Sequence, residues 1–169
     1  MASALPSHGR GHGAFATGID PCGRPSRVIG FPSRRSEGEP WPHPNEELVR
    51  RGFDAFATGD VNVLRELLHQ DAVWHAPGRN PVAGDHQGVD AILDFFARTM
   101  GVTGGTFRVE LHDVIANDEH AVAIYVSRAQ REGRTLDNKT VLVSHIRNGR
   151  LTEAWQLSED QYAVDEFLA

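Results

Sequence analysis

The sequence predicts an α+β protein in which helices come mainly before strands. Apolar residues recur at helical spacing in two segments, residues 45–59 and 89–101, as is typical of helices with one buried face. From residue 106 onward the period changes to two, since Phe107, Val109 and Leu111 alternate with polar residues, and further strand-like runs separated by turns follow as far as residue 157. Helices that are segregated from antiparallel strands in this way are the pattern of an α+β fold.

The totals are those of an ordinary globular chain. A length of 169 residues predicts one domain, and a net charge of −6 argues against a nucleic-acid surface, which needs clustered basic residues. Cys22 is the only cysteine, so no intrachain disulfide can form. No apolar run approaches the roughly 20 residues of a membrane helix. These totals predict a cytoplasmic protein with neither a nucleic-acid nor a membrane partner.

Residues 1–43 differ in composition from the rest of the chain. They are rich in Gly, Pro, Ser and Arg and show almost no apolar periodicity, so they cannot offset their ordering entropy by burial. We predict a disordered N-terminal extension over residues 1–43 and a folded domain over residues 44–169. An export signal is disfavoured because there is no apolar core segment, and an organelle transit peptide stays open as a minor alternative.

Capping residues delimit the predicted helices. Asn45 is a good N-cap for the first helix, and Gly59 suits its C-terminal end, where a left-handed backbone is common. Asp60 can cap a second, shorter helix over residues 61–68. The third helix begins near Val89 and ends at Gly101.

The stretch 71–88 lies between the second and third helices and concentrates polar chemistry. A short strand over residues 72–76 is stopped by Pro77, which cannot donate to a central ladder. An irregular crossing with several prolines and glycines follows. Alternation along the strand puts Val73 and His75 on one face and Trp74 and Ala76 on the other, and it leaves open which face lines a site.

Turn residues then separate four antiparallel strands. The turns are predicted at Asn117-Asp118, at residues 131–134 and at Asn148-Gly149, and a terminal helix is capped within residues 158–160. The strands over residues 121–129 and 140–147 are apolar on more than one face. One helix layer cannot cover both faces, so we predict a homodimer that forms through the sheet.

Four phrases carry a resemblance to a known family. They are Phe56–Asp60 (FATGD), Val73–Gly78 (VWHAPG), Ala83-Gly84 followed by Gly88, and Asn148–Trp155 (NGRLTEAW). In this order they resemble the SnoaL-like branch of the NTF2-like superfamily, named for polyketide cyclases. The resemblance implies a cone in which three N-terminal helices pack on a curved, mostly antiparallel sheet. It also implies a deep apolar site for a small organic molecule.

Two functions follow from the resemblance, and both stay open. One is a cofactor-independent acid–base isomerase, cyclase or dehydratase acting on an apolar cyclic substrate. The other is a non-catalytic ligand-binding or dimerisation module. Ketosteroid isomerases place an Asp base where Ala76 precedes Pro77, and limonene-type epoxide hydrolases place a carboxylate where Gln156 is the nearest match. Neither side chain can act as a base, so both of those chemistries are disfavoured.

Candidate site residues come from the polar and aromatic positions. His75 is the predicted catalytic residue, since a neutral imidazole can act as a base near pH 7, although a histidine satisfied by backbone groups is an equal alternative. The predicted substrate-binding residues are Trp74, Asn80, His86, Tyr125 and Gln156. Trp155 is predicted to belong to the core.

No metal or cofactor is predicted. The histidines form neither His-x-His nor His-Glu-x-x-His spacing, and no Gly-rich phosphate loop follows a strand.

Overall fold

The computed structural model describes residues 42–169, and this part of the chain contains four helices and one six-stranded sheet. It confirms the mixed α+β fold. The helices are α1 (Pro44–Thr58), α2 (Val61–Leu67), α3 (Val89–Val102) and α4 (Gln161–Leu168). The strands are β1 (Leu68–Ala76), β2 (Gly84–Gln87), β3 (Arg108–Ala116), β4 (His120–Arg131), β5 (Arg134–Arg147) and β6 (Arg150–Ser158).

The strand order is β2-β1-β6-β5-β4-β3, and every neighbouring pair is antiparallel except β1 and β6, which run parallel. The parallel pair joins segments that are far apart in sequence. It sets Trp74 opposite Ala154 and His75 opposite Trp155. The chemistry predicted for residues 72–76 is therefore completed by β6.

The two faces of the sheet differ in burial. Ala121, Ala123 and Tyr125 of β4 point toward the helices and are almost fully buried. The opposite face, which we call the open face, stays partly or fully exposed along its apolar centre. Its central residues are Val122, Ile124, Val126, Val141, Val143, Trp155 and Leu157.

The caps confirm most of the predicted boundaries. Gly59 has a left-handed backbone with φ 71°, and Asp60 accepts hydrogen bonds from the backbone N–H groups of Asn62 and Val63. The Asn45 cap was wrong. Pro44 begins the helix, since its missing N–H needs no partner there, and the Nδ1 atom of His43 accepts from the backbone of Asn45.

The central crossing was only partly predicted. It contains strand β2, which pairs with β1 in the register His75–Asp85, whereas the sequence predicted an irregular segment. Strand β1 also begins at Leu68, which had been assigned to the second helix, because Leu68 pairs with Leu151 of β6. The β1–β2 pairing and the Leu68–Leu151 pairing could not be predicted from the local sequence, because a strand's own residues do not identify its partner.

Most of the predicted extension, residues 1–43, lies outside the described residues. Within residues 42–169, no helix combines the length and apolar character needed to cross a membrane.

Candidate functional site: an apolar cavity with a polar cluster

A cavity of about 160 Å³ lies between the helices and the inner face of the sheet. An apolar cavity of roughly 150 Å³ is large enough to bind benzene, so this one has room for a small ring compound. Seven aromatic side chains contribute to its lining: Phe53, Phe56, Trp74, Phe95, Phe96, Phe107 and Tyr125.

The aromatic rings pack mostly edge to face. Trp74 meets Phe96 with ring centroids 5.1 Å apart and planes at 90°, and Phe53 meets Tyr125 at 5.0 Å and 68°. Phe56 lies 5.3 Å from Phe96. These arrangements are favourable for aromatic quadrupoles and fix the rings in place. The walls are therefore formed before any ligand arrives.

A polar chain crosses the cavity lining from β1 to β4. The indole Nε1 of Trp74 donates to Oε1 of Gln156 at 3.0 Å, and Nε2 of Gln156 donates to the hydroxyl of Tyr125 at 2.9 Å. Three of the predicted substrate-binding residues are thus brought together. The parallel β1–β6 pairing makes this contact possible.

Tyr125 is the only titratable side chain among the described residues that line the cavity. Burial raises its pKa to about 12, although hydrogen bonds with Gln156, Thr140 and Ser127 oppose part of the rise. The phenol is therefore protonated at neutral pH. Its chemistry there is to donate a hydrogen bond, and no side chain of the described lining carries a charge at neutral pH.

Sequence reasoning missed seven further polar residues of the lining, of which four lie on β4 and β5: Ser127, Asn138, Thr140 and Ser144. The last three lie on β5 at the same parity as buried Leu136 and Leu142, so polar residues at core-facing positions were the available signal. Ser144 Oγ is buried and has no hydrogen-bond partner among the described residues. A buried hydroxyl without a partner is costly unless water or a ligand completes it.

Asn80 also lines the cavity, where the segment after β1 meets α4. Its Nδ2 donates to Asp165 at 2.7 Å, and Gln161 donates to the same carboxylate at 2.9 Å. Partial burial alone would raise the pKa of Asp165, but these bonds and one from the backbone N–H of Arg79 hold it below its usual value. The carboxylate thereby fastens this segment to α4.

His75 lies on the face of the sheet opposite to the cavity and does not contribute to the lining. Its Nδ1 atom is 2.7 Å from Asp85, and its Nε2 atom is 3.0 Å from Glu153. Its ring stacks on Trp155 with centroids 5.2 Å apart. The carboxylates at both nitrogens favour the cationic form of this imidazole on the open face.

Partial burial on its own lowers the pKa of His75, but the hydrogen bonds and charges of Asp85 and Glu153 raise it overall above 6.5. Protonation is therefore favoured by folding. The resulting stability is full below pH 6.5 and is lost as the pH rises through the folded pKa.

We expect His75→Gln to lower the free energy of unfolding by about 0.5–1 kcal/mol more at pH 5.5 than at pH 8.5, because the protonated imidazole pairs with Asp85 and Glu153. The effect is small because partly exposed ion pairs stabilise a fold only weakly. Chemical denaturation at fixed protein concentration measures the difference. His112→Gln, which replaces an exposed histidine on β3, is the control. An equal loss at both pH values would contradict the ionic role of His75.

His86 and Trp155 have other surroundings than predicted. His86 is buried, and its Nε2 atom is 3.1 Å from the carbonyl oxygen of Val82, but the residue does not line the cavity. Its ring stacks on that of Phe95, with centroids 4.4 Å apart.

The assignment of Trp155 to the core was wrong. The β5–β6 register shifts beside Ile146, so Leu151 turns inward while Trp155 stays half-buried on the open face.

Within residues 42–169, no cluster of three or more His, Cys, Asp or Glu side chains is arranged to hold a metal ion.

Comparison with known proteins finds relatives that are similar in sequence and in structure. An uncharacterised protein of Mycobacterium tuberculosis strain H37Rv is 35% identical over 124 residues, which cover 73% of this chain and 95% of that protein. The structure of Bal32a, from a soil-derived mobile gene cassette, is 42% identical with a TM-score of 0.72, and the match covers 75% of this chain and 97% of that one. A protein of Xanthomonas campestris with a cystatin-like fold is 27% identical with a TM-score of 0.69, covering 73% and 96%.

The family assignment agrees with the phrases noted in the sequence. The SnoaL-like domain matches residues 49–154, a range that begins in α1, ends in β6 and includes Trp74, Tyr125 and the residues around them. The match confirms the resemblance, and the chain belongs to the SnoaL-like domain family.

Proposed function

We propose that this chain binds a small, uncharged, largely apolar cyclic molecule in the cavity. The observation that carries the proposal is the lining, with seven aromatic rings and Tyr125 as the only titratable side chain among the described residues. Flat apolar walls suit a ring compound. A charged ligand would lose its hydration there without gaining an opposite charge.

Acid–base catalysis of the isomerase, cyclase or dehydratase kind is the second candidate, and the position of Tyr125 favours it. A protonated phenol can donate to an oxygen atom on which negative charge develops. Since its raised pKa keeps Tyr125 protonated, its role in such a reaction is that of a donor and not of a base. The described lining offers no carboxylate or histidine as the base, so binding is the better supported function.

Naphthalene and 2-naphthoate test the proposal, because they share one ring system and differ in charge. We expect naphthalene to bind and 2-naphthoate to bind at least about 10-fold more weakly, since its carboxylate would be buried without a partner. Quenching of Trp74 fluorescence in a Trp41→Phe, Trp155→Phe protein reports binding. Equal affinities, or no binding of naphthalene, would refute the proposal.

A matched pair of variants locates the bound ring. Ala76 lines the cavity and Val73 lies on the other face of the same strand. Ala76→Phe should fill the cavity and reduce naphthalene affinity by about 10-fold or more, whereas Val73→Phe should leave it unchanged. Melting temperatures show whether each variant is folded. The reverse pattern would place the ligand on the open face.

We also propose that two copies of the chain associate through the open face. Its apolar centre includes Leu157, which is 55% exposed, and Ile124, which is 36% exposed. Groups of both charge signs flank that centre, with His75 and Glu153 at one end and Lys139 and Asp137 at the other. A second copy related by a two-fold axis can cover the apolar centre and oppose these charges.

A further inference from the structure

We infer that Gln156 sets the hydrogen-bonding specificity of the cavity. It does so by directing a hydroxyl proton of the cluster formed by Tyr125, Thr140 and Ser127 toward the ligand. The ligand then presents an acceptor oxygen that carries no proton of its own, as a ketone or quinone does. This inference rests on the proposed binding function and deepens it. Two chains of hydrogen bonds with a fixed direction carry it.

The first chain begins at an obligatory donor. The indole N–H of Trp74 cannot accept, so the Gln156 amide must present Oε1 to it at 3.0 Å. That choice turns Nε2 of Gln156 to the hydroxyl oxygen of Tyr125 at 2.9 Å. The oxygen of Tyr125 therefore accepts, and its proton must point elsewhere.

The second chain has the same direction. The backbone N–H of Asp160 donates to Oδ1 of Asn138 at 3.2 Å, which fixes the orientation of that amide. Nδ2 of Asn138 then donates to Oγ1 of Thr140 at 3.1 Å. The Thr140 hydroxyl thus also receives a donor, and its proton too must be directed elsewhere.

The two chains end in one cluster of hydroxyls formed by Tyr125, Thr140 and Ser127, all of which line the cavity. Thr140 and Ser127 are hydrogen-bonding neighbours of the Tyr125 hydroxyl. These two contacts use at most two of the three protons, so at least one O–H is not needed within them and can donate into the cavity. A carbonyl oxygen accepts it without adding another proton, whereas a ligand hydroxyl brings a proton that needs its own acceptor.

The substitution Gln156→Glu reverses the first chain without changing its length. When its new carboxyl group is ionised, the Q156E side chain offers only acceptors, so both Trp74 and Tyr125 donate to it. Thr140 and Ser127 can then donate to the oxygen of Tyr125, and no proton is left for the ligand. When that carboxyl group is protonated, it keeps the pattern of the glutamine, with its carbonyl toward the indole and its O–H toward Tyr125.

The test uses 1-tetralone and tetralin, which differ only in a carbonyl group against a methylene group. We expect the native chain to bind 1-tetralone about 5- to 10-fold more tightly than tetralin at both pH 5 and pH 9, as one net hydrogen bond implies. Burial among apolar walls raises the pKa of the new carboxyl group in Q156E. The preference should therefore persist at pH 5, where this group is protonated, and fall to about equal affinity at pH 9, where it is ionised. Gln130→Glu, an exposed change on β4, is the matched charge control.

The outcomes separate this inference from the function on which it rests. Binding of neither compound overturns both. Binding of tetralin with no preference for 1-tetralone in the native chain overturns the inference alone. A preference that Q156E keeps at pH 9 also overturns it. If Q156E does not fold, Asn138→Asp applies the same reversal to the second chain, and a preference unchanged at pH 9 there overturns the inference equally.

Discussion

Replacing Gly78 with alanine will lower the free energy of unfolding by about 2–3 kcal/mol, because backbone strain and steric overlap of the new Cβ atom add at this position. Gly78 has φ +108°, a conformation that side-chain-bearing residues rarely adopt. A Cβ atom there would also overlap Asp165 Oδ1 and Gln161 Nε2. These atoms belong to the hydrogen bonds that fasten Asn80 to α4, so the cavity lining should loosen with them. Thermal and urea unfolding measure the loss.

Gly84→Ala separates the two costs. Gly84 also has a positive φ, +130°, but a Cβ atom at this position would have no heavy atom within 4 Å. Gly84→Ala should therefore lose only the unfolding free energy that backbone strain costs. The larger loss in Gly78→Ala then measures the effect of the close approach of Asp165. Asp165→Asn should reproduce part of that excess loss. The carboxylate accepts from Arg79, Asn80 and Gln161 through its two oxygens, whereas the amide has only one acceptor oxygen. Equal losses for the two glycine variants would show that the close approach is unimportant.

The sequence predicted the fold class because periodicity is a local property. The change from helical spacing to alternation at residue 106 corresponds to the start of β3, and Gly59 and Asp60 lie at the predicted cap positions. The same local reasoning missed β2, because Gly84 and Gly88 mark turns as well as the ends of a strand. Pairing is not local, and a four-residue edge strand has little pattern of its own.

The site was predicted in part, for a related reason. Trp74, Asn80, Tyr125 and Gln156 all line the cavity, whereas His75 and His86 do not. Alternation separates the faces of β1 but cannot say which one the helices cover. That is decided by β6, which is far away in sequence, and by the packing of Trp74 against Phe96 of α3. Cavity residues can be grouped by face from the sequence, and the structure then selects the face.

That selection leaves the open face exposed, and Val141→Asp is expected to abolish the association we propose for it. Val141 lies between Ile124 on β4 and Leu157 on β6, at the middle of the apolar centre. A carboxylate buried there without a partner costs several kcal/mol, and a two-fold axis brings two such charges together. We expect the dimer dissociation constant to rise at least about 100-fold.

Sedimentation velocity over a range of concentrations distinguishes the possible outcomes. The native chain should sediment as a dimer at micromolar concentration and Val141→Asp as a folded monomer, because the side chain at 141 points outward and is only half-buried. Tyr162→Asp is the control, since this residue on α4 is 90% exposed and lies away from the open face. It should leave the dimer intact. A native chain that is monomeric at high micromolar concentration would refute the dimer. In that case the exposed Ile124 and Leu157 would need another covering, since an apolar sheet face of this extent is not usual on a monomer's surface.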